Sequence, residues 1–185
     1  MFQIIDGSSI AHEIQSTLKN NILKCTQQGL RKPFLAVVLV GEDPASKIYV
    51  AHKEKACGHV GIDSVTLHKD ASTSEEELCD LIRQLNADHN VDGILVQLPL
   101  PKHIDSFKII SLIEINKDVD GLSPNNQGLL VMNKAAHVPC TPSGIIKLLE
   151  AIHFRFESSL AAVVGRSKRR KIWSVRTSNL VVNTV

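Results

Sequence analysis

Tyr49 and Lys53 stand four positions apart in this chain. On a helix that spacing puts both side chains on one face, where they either line a solvated surface or enter a common cleft. In a cleft, a partly desolvated lysine that sheds its charge can take a proton or activate a water molecule. Gln97 is polar within the otherwise apolar run Gly93-Ile94-Leu95-Val96-Gln97-Leu98, and a buried amide needs hydrogen-bond partners. It can merely hold a loop, or it can bind the Lys53 amine or a substrate carbonyl. Asp118 and Asp120 flank Val119 ahead of Gly121. Aspartates so placed bond local backbone amides in turns, whereas one on a ligand rim can accept paired N–H groups from an amino-pyrimidine edge.

Metal and disulfide chemistry find no comparable pattern. Cys25, Cys57, Cys79 and Cys140 are scattered without a Cys-x-x-Cys pair and read as reduced thiols. The eight histidines show no His-Glu-x-x-His or similar ligand spacing, so no metal site is expected.

The elements that must position these groups alternate between helix and strand. Ser8 or Ser9 can cap a helix with Ile10, Ile14, Leu18 and Ile22 on one stripe, ending near Gly29. Phe34 to Val40 is an unbroken apolar run, as expected of a strand buried on both faces of a parallel sheet. The loop Gly41-Glu42-Asp43-Pro44 follows, then a helix over 45–57 and a strand over 62–67. Ser74 and Glu77 form a capping box that opens the next helix. Residues 93–98 read as a second buried strand, which Pro99-Leu100-Pro101 must lead out of the sheet because proline cannot donate to a ladder. Asp105 to Ile115 reads as a helix, and Pro142 introduces another over 143–151. Such βαβ repetition predicts an α/β domain with a largely parallel sheet. Ligands of such sheets bind at the carboxyl ends of strands, which puts the loop after Val40, Gln97 and the Lys117–Gly121 turn on one rim.

Composition agrees with an ordinary globular chain: 185 residues, 43% hydrophobic and 22% charged, excluding disorder, collagen and coiled coil. No apolar run reaches the roughly 18 residues of a membrane span, the first residues do not resemble a signal peptide, and the cytoplasm is the expected compartment. Residues 1–165 carry fifteen Lys and Arg against nineteen Asp and Glu, whereas residues 166–185 carry six basic residues and no acid. An acidic body argues against nucleic acid as a partner, and the run Lys168-Arg169-Arg170-Lys171 does not reverse that expectation.

Four strings carry a family resemblance: Tyr49-Val50-Ala51-His52-Lys53, Gly93 to Pro101, Lys117-Asp118-Val119-Asp120-Gly121 and Pro139-Cys140-Thr141-Pro142. In order and spacing they resemble the methylenetetrahydrofolate dehydrogenase/cyclohydrolase family over nearly all of residues 1–167. The resemblance implies a parallel-sheet folate-binding catalytic domain, residues 1–140, followed by an incomplete Rossmann-like NAD(P) domain that begins in residues 141–167. It implies NADP-dependent oxidation of 5,10-methylenetetrahydrofolate and hydrolysis of the methenyl product to 10-formyltetrahydrofolate in one pocket. By position, Lys53 is then the catalytic lysine, Tyr49 stacks beside or orients the folate, Gln97 tunes the lysine, Leu98 and Pro99 line the substrate site, and Asp120 anchors the pterin ring. Gly165, Arg166 and Ser167 would begin the NADP site. The partners implied are tetrahydrofolate derivatives, with homodimers in the family and a monomer expected for this chain.

The pattern departs after Ser167. Where the family has Val-Gly-x-Pro, the chain reads Lys168 to Trp173, with Lys171 at the second glycine and Trp173 at the proline. A long side chain where backbone must approach a phosphate obstructs cofactor binding. Residues 168–185 are expected to be an atypical tail, either a non-native product of a shifted reading frame or a solvated basic tail, with apolar surface of the first domain left uncovered. The competing readings are a chain that only binds folate or keeps weak cyclohydrolase activity, and a non-enzymatic α/β module that uses the same cleft for another ligand.

Overall fold

The computed structural model describes residues 4–134 and 137–157, with the backbone of 160–163 and 181–184. The apolar run Phe34–Val40 forms β1, whose residues Ala36 to Val40 are all buried. It is the centre of a three-stranded parallel sheet, flanked by β2 (Asp63–Lys69) and β3 (Gly93–Val96) in the order β2-β1-β3. Because side chains alternate along a strand, Ala36, Val38 and Val40 face one layer while Val37 and Leu39 face the other. The first layer holds Leu78 and Ile82 of α3 (Glu75–Ala87) and Ile109 of α4 (Ser106–Ser111). The second holds Val50 of α2 (Pro44–Val60), together with Leu95 of β3.

Local chemistry sets the helix ends. Pro44 takes the first turn of α2 and the Asp43 carboxylate accepts from Ser46 N at 2.8 Å, while Gly61 ends the helix at φ +90°. The helix thus runs three residues past the expected Cys57. Ser74 and Glu77 form both halves of the expected capping box on α3.

Other expectations are corrected. The first helix, α1 (Gly7–Gln27), is capped by Asp6, which accepts from Ser8 N and Ser9 N, so both serines lie inside the first turn. A carboxylate answers the helix dipole better than a hydroxyl, which favours Asp6 as the cap. Of the α1 stripe only Ile22 is buried, whereas Ile14 and Leu18 stay 49% and 41% exposed. The helix expected to reach Ile115 stops at Ser111 because Asn86 intercepts it: its Nδ2 donates to Leu112 O at 2.7 Å and its Oδ1 accepts from Glu114 N at 3.0 Å.

Beyond the sheet lie α5 (Pro124–Val131) and α6 (Cys140–Ala151), the latter touching α1. α5 was not expected, and α6 begins three residues before the expected Ser143. Pro142 is tolerated there because the first-turn amides have no partner within the helix. β4 (Leu160–Val163) pairs in parallel with β5 (Val181–Thr184). β5 lies within the segment 168–185 that the sequence sets apart as atypical. No helix of the described residues is long and apolar enough to cross a membrane.

Candidate active site

β3 delivers Gln97 to the rim of the sheet, where Gln97 N still donates to Val38 O of β1 at 2.9 Å. Its side-chain orientation follows from its two partners. The Leu98 carbonyl accepts from Gln97 Nε2 at 2.7 Å, which turns Oε1 toward α2, where it accepts from Lys53 Nζ at 3.1 Å. Lys53 and Gln97 are both half-buried. Among the described residues Lys53 forms no ion pair; its partner is a neutral amide carbonyl.

One turn earlier on α2, Tyr49 is 61% exposed at the mouth of the same cavity, so its ring is free to lie against a ligand. Val50, the next residue, points the other way into the core.

The opposite wall is the Lys117–Gly121 turn, and the two aspartates divide the roles weighed from sequence. Asp118 is 1% exposed and bonds the backbone, accepting from Ser123 N at 2.8 Å; Asp120 faces the cavity. Gly121 closes the turn at φ +62°, and a Cβ there would come within 2.9 Å of His137 O. Only glycine accommodates both the left-handed backbone and the close approach.

The cavity enclosed by these pieces has a volume of about 440 Å³, in the usual range of small-molecule sites. Polar groups from Lys53, Gln97 and Asp120 meet apolar walls from Val96, Leu98 and Leu122. The first turn of α6 completes it with Cys140, Thr141 and Pro142, and no side chain caps that helix end. Burial pushes the Cys140 thiol up from its ordinary pKa, and the Asp120 charge and hydrogen bond add to this against the opposing pull of Lys53. A shift in that direction does not favour the thiolate that a nucleophile needs.

Of the residues expected in the site, Tyr49, Lys53, Gln97, Leu98 and Asp120 line this cavity, whereas Pro99, joined to Leu98 by a cis peptide bond, is exposed and does not. The loop after Val40 is also absent from the wall; it serves by starting α2. Gly165, Arg166, Ser167, Lys171 and Trp173 lie outside the described residues. Sequence reasoning gave no role to Leu122 or to the Pro139–Pro142 wall, although that string was already conspicuous. Among the described residues no cluster of His, Cys, Asp and Glu could hold a metal ion.

Comparison with known proteins adds independent findings. The model of the tetrahydrofolate dehydrogenase/cyclohydrolase catalytic domain matches residues 5–120. A bifunctional protein FolD of Agathobacter rectalis is 46% identical over 167 residues, covering 90% of this chain and 60% of the relative. That of Moorella thermoacetica is 50% identical over 165 residues, covering 89% and 59%. The crystal structure of FolD methylenetetrahydrofolate dehydrogenase/cyclohydrolase from Campylobacter jejuni superimposes with a TM-score of 0.91 at 37% identity, over 98% of this chain and 66% of that one. The Trypanosoma brucei dehydrogenase-cyclohydrolase complexed with NADP and inhibitor gives 0.93 at 31%, over 99% and 64%. The chain thus spans about 60% of the length of the curated relatives it matches.

Proposed function

The chain belongs to the tetrahydrofolate dehydrogenase/cyclohydrolase family, and from that premise we propose that its cavity binds 5,10-methenyltetrahydrofolate and hydrolyses it to 10-formyltetrahydrofolate. The observation that carries this reading is the convergence of Lys53, Gln97 and Asp120 on one cavity from α2, the end of β3 and the 117–121 turn.

Asp120 is suited to accept paired N–H donors of the pterin edge, and Tyr49 to lie against the ring. The methenyl carbon between N5 and N10 is electrophilic. Lys53, in its neutral form, takes a proton from water as the oxygen bonds to that carbon and passes it to N5 as the C–N5 bond breaks; the remaining hydroxyl proton leaves to solvent as the carbonyl of the formyl group forms on N10. Gln97 contributes by holding the amine in place, so that the water and the carbon meet without further ordering. Residues 1–140 are the folate-binding domain of this proposal. The four cysteines are free thiols, which suits a reducing compartment such as the cytoplasm.

In the family this hydrolysis follows an oxidation of the methylene compound in which NADP accepts the hydride. The residues assigned here to its phosphates, Gly165 to Ser167, lie outside the described residues, and no step of this chain is derived through it. Loss of methenyl absorbance, followed beside NADP reduction with the methylene substrate, tests the whole. Hydrolysis above the buffer rate supports the proposal; binding without hydrolysis would leave only a folate-binding chain, and neither would refute it.

A further inference from the structure

We propose that Lys117 and Asp118 are positioning residues that clamp the 117–121 turn from two sides and so hold the Asp120 carboxylate at the folate ring; this rests on the folate reading above. Lys117 Nζ donates to three backbone carbonyls, Leu85 O at 3.0 Å, Asn86 O at 2.7 Å and Asp88 O at 2.7 Å. These lie at the carboxyl end of α3, where the helix leaves carbonyls unpaired and its dipole attracts a cation. All three ammonium protons are used, which fixes the head of an otherwise flexible side chain.

Asp118 makes the opposite anchor. Its buried carboxylate accepts from Leu122 N at 3.3 Å, Ser123 N at 2.8 Å and Asn126 Nδ2 at 2.9 Å, at the amino end of α5. Asn126 also donates to Ile115 O at 3.0 Å, tying the start of the turn to the same helix. Between the two anchors, Ile94 N of β3 donates to Lys117 O at 2.7 Å. The turn therefore hangs from α3, β3 and α5 at once, with Asp120 two residues beyond the last anchor.

Stability alone does not call for this arrangement, because a buried carboxylate is costly to desolvate and apolar packing of the same volume serves stability as well or better. Among the described residues Asp118 has no cationic partner, and Asp120 has no ion pair and only the thiol of Cys140 as a side-chain hydrogen-bond partner, so the place of Asp120 is set chiefly by the backbone that Lys117 and Asp118 hold. Asp118→Asn is the sharp variant. Either orientation of the new amide sets an NH2 group against a backbone N–H, since both carboxylate oxygens accept from one.

The test is a double-mutant cycle on the full chain, read as affinity for 5-formyltetrahydrofolate, a stable ligand carrying the same amino-pyrimidine edge. Asp118→Asn and Lys117→Met are each measured with Asp120 present and in an Asp120→Asn background, which keeps a carbonyl acceptor; thermal midpoints are recorded for every variant. Clamping predicts about a tenfold loss of affinity with Asp120 present and less than about twofold without it. An equal loss in both backgrounds, or none in either, overturns it. Should Asp118→Asn fail to fold, Lys117→Met decides alone. Wild-type protein that does not bind the ligand refutes the folate reading itself, an outcome separate from wild-type binding that the clamp variants leave unchanged.

Discussion

Lys53 meets an amide where a carboxylate would have been the more common partner for an ammonium group. A carboxylate would add an ion pair, whereas Gln97 orients the amine through a hydrogen bond to a neutral carbonyl. Gln97→Glu tests that difference: the side chain keeps its size but supplies an ion pair, and methenyl hydrolysis is expected to fall on the order of a hundredfold with the fold intact. An unchanged rate would show that the charge state of Lys53 is immaterial. Gly121 raises a different demand, on the backbone. Gly121→Ala forces a side chain into a φ of +62° against His137 O, at an expected cost of about 1–3 kcal/mol in urea unfolding. Folate binding is expected to weaken as well, because Asp120 precedes the strained position.

The strands and helices carry these residues, and their ends respond to small chemical changes. Loss of the capping box by Ser74→Ala should lower stability by about 1 kcal/mol, read from the denaturant midpoint. Across the amino edge of the sheet, Arg31 forks onto Asp92 at 2.6 and 2.7 Å, and Phe34 N adds a third bond at 2.8 Å. The Arg31 hydrogen bonds hold the Asp92 carboxyl below the usual carboxylate range, helped by the Phe34 amide. A lowered folded-state value contributes stability that is complete above the unfolded value near 4 and disappears as the pH falls through the folded one. Asp92→Asn is therefore expected to be less stable than wild type at pH 7, the gap closing as the pH falls below the unfolded value and through the lowered folded one; a gap constant with pH would contradict the ion pair's role. The same elements show what the sequence reveals. The Phe34–Val40 and Gly93–Val96 strands are legible because burial on both faces writes itself as unbroken apolarity. α5 is not, since PNNQGLLV carries no periodic stripe, and only Ser123 and Pro124 mark its start in the sequence. The early stop of α4 is invisible for another reason: Asn86, far away in sequence, terminates it.

Taken together, the three-layer arrangement of α2, the parallel sheet and the α3–α4 pair brings residues separated by more than forty positions to one rim. Gln97 and Asp120 were legible as candidates from their place at a strand end and a turn on the ligand rim, and Tyr49 and Lys53 from a spacing that shares one helix face; the family resemblance, not the spacing, weighed against their structural readings. The choice between Asp118 and Asp120, the wall from the start of α6 and the exclusion of Pro99 required the three-dimensional arrangement, since each depends on which way a turn faces. Whether the assembled rim performs chemistry is most directly read from Lys53→Met, assayed as the rate of methenyl absorbance loss with thermal midpoint and 5-formyltetrahydrofolate affinity recorded on the same preparation. The rate is expected to drop by about a hundredfold or more, to the level of buffer, while fold and binding persist. A variant that hydrolyses at the wild-type rate would contradict the assignment of Lys53.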